Sequence, residues 1–173
     1  MAKLRQAVAY RRIKRPYTRT SRVKSKAYIK GAPNIKIAQY DMGDKKIYPY
    51  DVQIVSAKNI QVRENALEAA RQVMVRTIEL VAKTGWSMKL RAVPHHIFRL
   101  NPLATGAGAD RFQMGMSQSF GRPEGHAAQC FKGKILFSIY VLEENLTVAK
   151  LAAKKATSKF PMHCLIKVLK TAQ

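Results

Sequence analysis

Twelve lysines and arginines, and no aspartate or glutamate, occur in the first forty residues of the chain. The first acidic residue is Asp41, and Pro16 and Pro33 interrupt helix formation before it. Closely spaced like charges repel one another and oppose collapse onto a core. We therefore predict that residues 1–30 form a basic arm, extended in isolation and ordered by its partner. A solvated basic face of the domain is the alternative, but acids would normally be interspersed on such a face.

The net charge restricts the partners that the chain can have. Its 173 residues have a formal net charge of +22, and a folded chain this basic repels itself unless a polyanion neutralises it. Nucleic acid is favoured over an anionic membrane surface, because the N-terminus has too few large apolar residues at helical spacing for a membrane-surface helix. The sequence also shows no signal peptide, and no apolar run approaches the roughly 18 residues of a membrane span.

The remaining residues, 31–173, are predicted to form one domain with a mixed α+β fold. Apolar residues make up 47% of the chain, which excludes a wholly disordered polycation. Alternating apolar and polar residues predict a largely antiparallel sheet. The predicted strands are residues 35–40, 50–56, 88–93, 97–100, 127–131, 135–142 and 164–169. The turn at residues 132–134 predicts that the strands on either side of it form a hairpin.

Two helices are predicted to pack on this sheet. Residues 62–84 form the stronger one, with Gly85 as its C-terminal cap. Its apolar stripe consists of Leu67, Ala70, Met74, Ile78 and Val81. The second helix covers residues 146–159 and ends before Pro161. Its predicted inward residues are Val148, Leu151, Ala152 and Ala156, and its predicted wet basic face consists of Lys150, Lys154, Lys155 and Lys159.

Residues 101–125 form a long loop with neither helical nor strand periodicity. Loops beyond about 12–15 residues are uncommon in compact domains and are usually functional or disordered. Five of the nine glycines lie here, and they allow the backbone to approach other groups closely. Two arginines suit phosphate and two phenylalanines suit stacking on unpaired bases. We therefore predict a functional loop, with a merely floppy insertion as the alternative. The glycines are Gly106, Gly108, Gly115, Gly121 and Gly125; the others are Arg111, Arg122, Phe112 and Phe120.

No catalytic or metal-binding motif is evident. The possible metal ligands show no metal-site spacing, and the cysteines Cys130 and Cys164 are expected to be buried, reduced thiols rather than a disulfide. The acids are too scattered for a two-metal nuclease, and the loop contains only Asp110 and Glu124. Three classes remain: a structural RNA-binding protein, which is favoured; a DNA-compacting or general nucleic-acid chaperone; and an RNA-modifying enzyme that would use Asp110 or Glu124. No cofactor, metal ion or small-molecule substrate is expected.

Several sequence blocks resemble one known family. The loop residues Gly108-Ala109-Asp110-Arg111, Gly115-Met116, Phe120-Gly121, Pro123 and Gly125 look like a loop motif of a universal ribosomal protein family. That large-subunit family unites the bacterial protein "L-sixteen" with the archaeal and eukaryotic "L-ten-e". Further blocks match in family order, and the likeness is closest to the archaeal form. These blocks are residues 15–18, 31–33, 40–43, 65–69 and 159–161.

The resemblance implies a fold and a function. The fold would be α+β, with a hammerhead-like sheet and two helices. The chain would be a non-enzymatic protein of the cytoplasmic ribosome that binds large-subunit ribosomal RNA beside the transfer RNA in the aminoacyl site. Its long loop would point toward the peptidyl-transferase centre, and it would join late in subunit assembly. Its expected partners are this ribosomal RNA, aminoacyl-site transfer RNA and neighbouring ribosomal proteins, with no membrane.

Two sets of site residues follow from the charge pattern and the resemblance. The predicted RNA-binding residues are Arg11, Arg12, Lys14, Arg15, Arg19, Arg22, Lys24, Lys26, Lys30, Arg99, Arg111, Arg122, Lys154 and Lys155. The predicted functional-loop residues are Gly108, Asp110, Arg111, Phe112, Gly115, Phe120, Gly121 and Gly125.

Overall fold

Runs of consecutive strands are interrupted by two helices in a mixed α+β fold, which confirms the predicted fold class. The computed structural model describes residues 5–14, 23–26, 29, 31–117, 119 and 121–170, and every structural statement below concerns these residues. The strands are β1 (Asp41–Gly43), β2 (Tyr50–Ser56), β3 (Ile60–Arg63), β4 (Trp86–Leu90), β5 (His96–Leu100), β6 (Arg122–Cys130), β7 (Ile135–Val141) and β8 (Cys164–Lys170). The helices are α1 (Glu64–Glu79) and α2 (Leu146–Thr157).

The strands form two antiparallel sheets. The larger sheet has five strands in the order β1-β4-β7-β2-β8, and the smaller has three in the order β3-β6-β5. Helix α2 packs on the larger sheet, α1 contacts the smaller one, and the two helices pack against each other. Alternate residues of the central strands, among them Val52, Ile54, Phe137 and Ile139, are fully buried in the shared core. The helices therefore join the two sheets into one hydrophobic core.

The predicted hairpin across residues 132–134 is wrong. Strand β6 pairs with β3 and β5, whereas β7 pairs with β2 and β4 in the other sheet. The turn instead bonds to the chain where it leaves β2: the amide of Gly133 donates to the carbonyl of Ser56 at 2.9 Å, and the amide of Ser56 donates to the carbonyl of Lys134 at 2.9 Å. The chain thus crosses from one sheet to the other between β2 and β3 and again between β6 and β7, and the two crossings lie side by side. A turn signature locates a chain reversal without specifying which strands pair.

The apolar stripe of α1 is largely confirmed. Leu67, Ala70, Met74 and Ile78 are buried, but Val81 is 66% exposed. The difference arises because the helix ends at Glu79, before the predicted end at residue 84, so Gly85 does not cap it directly. At the other end, the four residues of β3 precede the helix, where the sequence predicted helix from residue 62. A strand this short leaves too few alternations to distinguish it from a first helical turn.

Alanines form the buried face of α2. Ala149, Ala152, Ala153 and Ala156 are buried, whereas Leu151 is 49% exposed and Val148 is only half-buried. The prediction that the two large residues point inward is therefore wrong. The small alanine side chains allow α1 to pack closely against α2. A leucine in place of one of these alanines would push the two helices apart. The predicted basic face is exposed, with Lys150, Lys154, Lys155 and Lys159 in solvent.

The segment predicted as a first strand, residues 35–40, is not a strand. The amide of Lys36 donates to Oε2 of Glu64 at 3.0 Å, and the amide of Ala38 donates to Oε2 of Glu68 at 3.4 Å. Alternate backbone amides of this segment therefore donate to carboxylates of α1 and not to the carbonyls of a neighbouring strand. Pairing with β4 begins only at Asp41, where the prediction ended the strand.

Both cysteines lie in the core, as predicted. Cys130 and Cys164 are buried and free of any disulfide. Burial raises the pKa of each thiol to about 11, so both remain protonated at neutral pH. Because the thiolate is the reactive form, these side chains act as small apolar core residues.

Candidate nucleic-acid interface

The long loop is the tip of a hairpin. Strands β5 and β6 pair directly, with Leu100 opposite Arg122 and Phe98 opposite Gly125. Residues 122–125, predicted as loop, therefore belong to β6, and the connection comprises residues 101–121. The register shifts between Phe98 and Arg99, next to Pro123. Glycine, proline and this irregularity hid the strand pattern in the sequence.

Two side-chain hydrogen bonds close the loop on itself. The backbone amide of Ala104 donates to Oε1 of Gln113, and Nε2 of Gln113 donates to the carbonyl of Ala104, both at 2.8 Å. Between these residues, Ala109–Arg111 form one 3-10 turn. The side-chain amide of Gln113 thus replaces the backbone pairing that the loop lacks, and it holds the segment as a compact projection.

The tip of the loop presents large apolar and charged side chains to solvent. Phe112 is 88% exposed and Met114 is 83% exposed, and Asp110 and Arg111 are exposed beside them. Large apolar side chains clustered on a surface usually mark an interaction site. The structure therefore brings together the loop cation and aromatic ring that the sequence singled out. Phe120, the second predicted aromatic residue, lies outside the described residues.

Two of the predicted loop glycines have close neighbours at the base of the hairpin. A Cβ atom on Gly121 would lie 2.9 Å from the carbonyl carbon of Leu100 and 3.0 Å from the amide nitrogen of Asn101, and its φ is +77°. A Cβ atom on Gly125 would lie 2.9 Å from Cζ of Phe98. Both residues therefore permit close packing where the loop leaves the sheet.

We expect Gly121→Ala to lower the free energy of unfolding by about 2–4 kcal/mol, because it combines a strained φ with a clash against backbone. Gly115→Ala is the matched control, since Gly115 also has a positive φ of +61° but no atom lies within 4 Å of its Cβ position. That control should cost only about 1–2 kcal/mol. Urea unfolding of both variants measures the difference. Equal losses would show that the packing at Gly121 is unimportant.

Residues 5–14, part of the predicted arm, lie against the smaller sheet. Four of their backbone carbonyls accept hydrogen bonds from polar side chains or amides of β3 and β6, at 2.8–2.9 Å. The ring of Tyr10 packs on Phe98 with centroids 4.5 Å apart, and the guanidinium of Arg63 lies 5.8 Å from the Tyr10 ring centroid. This part of the arm is therefore held by the domain itself, whereas the sequence predicted that its partner orders it.

Most of the predicted RNA-binding side chains that the structure describes are exposed and have no carboxylate partner among the described residues. In the part of the chain that the structure describes, ion pairs of lysine or arginine join Arg71 to Glu68 and Lys89 to Asp41, and neither cation was predicted to bind RNA. Arg99 is half-buried in β5. The exposed predicted residues are Arg11, Arg12, Lys14, Lys26, Arg111, Arg122, Lys154 and Lys155. Those outside the description are Arg15, Arg19, Arg22, Lys30 and the side chain of Lys24.

A buried polar pair lies beneath the smaller sheet. Nδ1 of His126 is 3.6 Å from Oε2 of Glu64, and both side chains are less than a tenth exposed. Glu64 is the first residue of α1, where the helix dipole favours a negative charge. Its other contact, with the amide of Lys36, fixes the segment that precedes β1. Helix, sheet and loop segment therefore meet at this pair, which no local pattern reveals because its members are 62 residues apart.

The described residues contain neither a cluster of metal ligands nor a membrane-spanning helix. Among the described residues, no three histidine, cysteine, aspartate or glutamate side chains lie together in a group able to hold a metal ion. None of the described helices combines the length and apolar character needed to cross a bilayer.

Comparison with known proteins identifies the family. The family model described as "Ribosomal protein L16p/L10e" matches residues 13–167, nearly the whole chain. The chain belongs to the L16p/L10e family of ribosomal proteins. This confirms the resemblance seen in the loop motif and the blocks outside it. As a member of this family, the chain is a structural ribosomal protein and not an enzyme, and its place of action is the cytoplasmic ribosome.

Archaeal relatives cover most of the chain. "Large ribosomal subunit protein uL16" of Archaeoglobus fulgidus is 42% identical over 154 residues, which are 88% of this chain and 85% of the relative. The protein of the same name from Nanoarchaeum equitans is 40% identical over 87% of this chain and 83% of its own length. That of Metallosphaera sedula is 40% identical over 96% and 94%. The likeness to the archaeal form is therefore confirmed.

Proposed function

We propose that this L16p/L10e protein is a structural constituent of the large ribosomal subunit that binds large-subunit ribosomal RNA near the aminoacyl-tRNA site. The observation that carries the proposal is the combination of exposed cations, without carboxylate partners among the described residues, and a projecting loop. Its uL16 relatives bear the name of the large subunit. The proposal includes the division into a basic arm, residues 1–30, and a domain, residues 31–173.

Anchoring on RNA is assigned to the basic surfaces outside the loop. Arg11, Arg12 and Lys14 project from the N-terminal segment, and Lys154 and Lys155 project from the far side of α2. These cations have no carboxylate partner among the described residues, so neutralising RNA phosphates breaks no existing ion pair. Such contacts depend on RNA shape and backbone rather than on base edges in a helix, because side chains cannot read the deep major groove of A-form RNA.

The projecting loop is assigned to aminoacyl-site transfer RNA and points toward the peptidyl-transferase centre in this proposal. Phe112 offers an aromatic surface for an unpaired base, and Arg111 offers a bidentate donor for phosphate. The contact is one of positioning and involves no chemistry by the protein. Late joining of the assembling subunit, beside neighbouring ribosomal proteins, completes the proposal.

The first test is whether the protein sediments with large subunits in a cell lysate. Binding to isolated large-subunit ribosomal RNA should also depend steeply on salt. If about 6–10 phosphates are neutralised, affinity should fall about 10³–10⁵-fold between 50 and 200 mM salt. Constant affinity across this range would contradict the electrostatic anchoring, and absence from the large-subunit fraction would contradict the proposed function itself.

A general nucleic-acid chaperone is the alternative function, and the net charge of +22 is the observation that favours it. Competition distinguishes the two proposals. A chaperone would bind duplex DNA as tightly as structured ribosomal RNA at equal phosphate concentration. A large-subunit protein would prefer its RNA site at moderate salt, where non-specific binding is already weak.

A further inference from the structure

A groove lies where the N-terminal segment meets β5 and the loop that follows it. Its cavity volume is about 340 Å³, within the roughly 300–1,000 Å³ typical of small-ligand sites. Arg5, Arg12 and Lys14 line one wall, and Asn101 and Met116 of the loop line the other. The groove therefore has a cationic wall facing a polar and apolar wall.

Backbone contacts hold the cationic wall in place. The carbonyls of Arg5 and Lys14 accept hydrogen bonds from Arg63 and Gln129, and those of Tyr10 and Arg11 accept from Gln61. All these bonds use main-chain oxygens of the segment, so its basic side chains take no part in the docking. Arg5, Arg12 and Lys14 stay exposed and, in the part of the chain that is described, unpaired with carboxylates. The cations are thus pre-positioned around the groove rather than carried on a free arm.

A largely buried histidine also lines the groove. His96 is 7% exposed, and its Nδ1, which has almost no accessible surface, has no hydrogen-bond partner among the described residues. Burial, and to a smaller extent nearby Arg99, lowers the pKa of His96, so the ring is neutral at pH 7. A neutral imidazole has one donor and one acceptor, as a base edge does. His96 therefore adds a neutral aromatic ring with a polar edge to the lining of the groove.

We propose that this groove binds one unpaired nucleotide of RNA, with its phosphates at Arg5, Arg12 and Lys14 and its base between His96 and Asn101. The proposal rests on the proposed function and names the form of RNA recognised at this place. A duplex does not fit, because its bases are stacked inside the helix and cannot enter a groove of this size. An acidic peptide would satisfy the cations but would leave the aromatic side chains of Tyr10, His96 and Phe98 in the lining without a matching planar group.

The decisive experiment compares two double variants that remove the same charge. The first variant, Arg12→Ala with Lys14→Ala, changes the cationic wall of the groove. The control variant, Lys45→Ala with Lys46→Ala, changes two exposed lysines that follow β1, an edge strand of the larger sheet. The probes are a short, fluorescent single-stranded RNA and a duplex RNA with the same number of phosphates. We expect the groove variant to bind the single strand at least about tenfold more weakly than the control variant. On the duplex, the two variants should bind alike.

A third variant tests recognition of the base. Asn101→Ala, in the loop wall, should reduce discrimination among single strands of adenosine, cytidine, guanosine and uridine while leaving the salt dependence unchanged. Equal weakening of single strand and duplex by the groove variant would overturn the nucleotide proposal and leave RNA binding intact. Failure of the unaltered protein to bind either probe at low salt would instead refute the proposed function together with the groove.

Discussion

Replacing Phe137 by alanine is expected to lower the free energy of unfolding by about 3–5 kcal/mol. Phe137 lies in the central strand β7, is fully buried, and its ring centroid is 6.3 Å from that of Phe160. The truncation loses buried apolar area and leaves a cavity between the larger sheet and the helices. Because small domains are stable by only about 5–15 kcal/mol, a loss of this size removes a large part of the total.

Phe112→Ala is the matched control for this prediction. The chemical change is the same, but Phe112 is 88% exposed at the tip of the loop, so stability should change by less than about 0.5 kcal/mol. Chemical unfolding monitored at Trp86, which is itself buried near β7, measures both variants. A large loss in Phe112→Ala would mean that the loop packs as part of the core and does not act as a projection.

Periodicity in the sequence predicts only those elements whose buried faces consist of large side chains. The stripe of α1 was found because Leu67, Met74 and Ile78 stand out against polar neighbours. In α2 the buried face consists of alanines, which carry little hydropathy signal, and the larger Leu151 was wrongly placed inside. Helices that pack at close range have small residues at their contact. The alanines that form the contact of α2 with α1 are therefore not apparent in a hydrophobicity pattern.

Pairing between strands was less predictable than the strands themselves. Strand β2 was predicted with its correct bounds, and β8 nearly so, but β6 and β7 were joined in a hairpin that does not exist. The two strands are adjacent in sequence and lie in different sheets, since the chain crosses over beside Ser56. Only long-range contacts decide this arrangement, and no short-range pattern encodes them.

The loop could be predicted from the sequence, whereas the groove could not. Composition reveals the loop, because five glycines with exposed arginine and phenylalanine form a local signal. The groove is assembled from the N-terminal segment, β5 and the loop, and the segment is docked through its carbonyl oxygens. Every residue has a carbonyl, so a docking of this kind leaves no trace in the sequence. The sequence therefore predicted Arg12 and Lys14 as RNA-binding residues of an arm, but it did not predict that they line a groove together with β5 and the loop.

Removing residues 103–118 and joining the ends with a short glycine–serine linker is expected to separate anchoring from function. None of the described residues in this range is buried, and the Gln113–Ala104 hydrogen bonds lie entirely within it. The domain should therefore fold with nearly unchanged stability. The arm and α2 keep their cations, so the shortened protein should still sediment with large subunits, under the proposed function.

Translation by such subunits should be strongly impaired. Stacking of one base on an aromatic ring contributes about 1–3 kcal/mol, and each 1.4 kcal/mol is about tenfold in affinity, so loss of Phe112 alone should weaken aminoacyl-site tRNA binding about 5- to 150-fold. Phe112→Ala tests this ring, and Phe131→Ala, an exposed phenylalanine in the turn after β6, is its control. Subunits carrying each variant are compared for tRNA binding and peptide synthesis.

Normal peptide synthesis by subunits that contain the shortened protein would show that the loop is dispensable. Failure of the shortened protein to fold would show that residues 103–118 belong to the core. Weakening by Phe112→Ala but not by Phe131→Ala would localise the functional contact to the tip of the loop, because both variants remove the same ring from an exposed position.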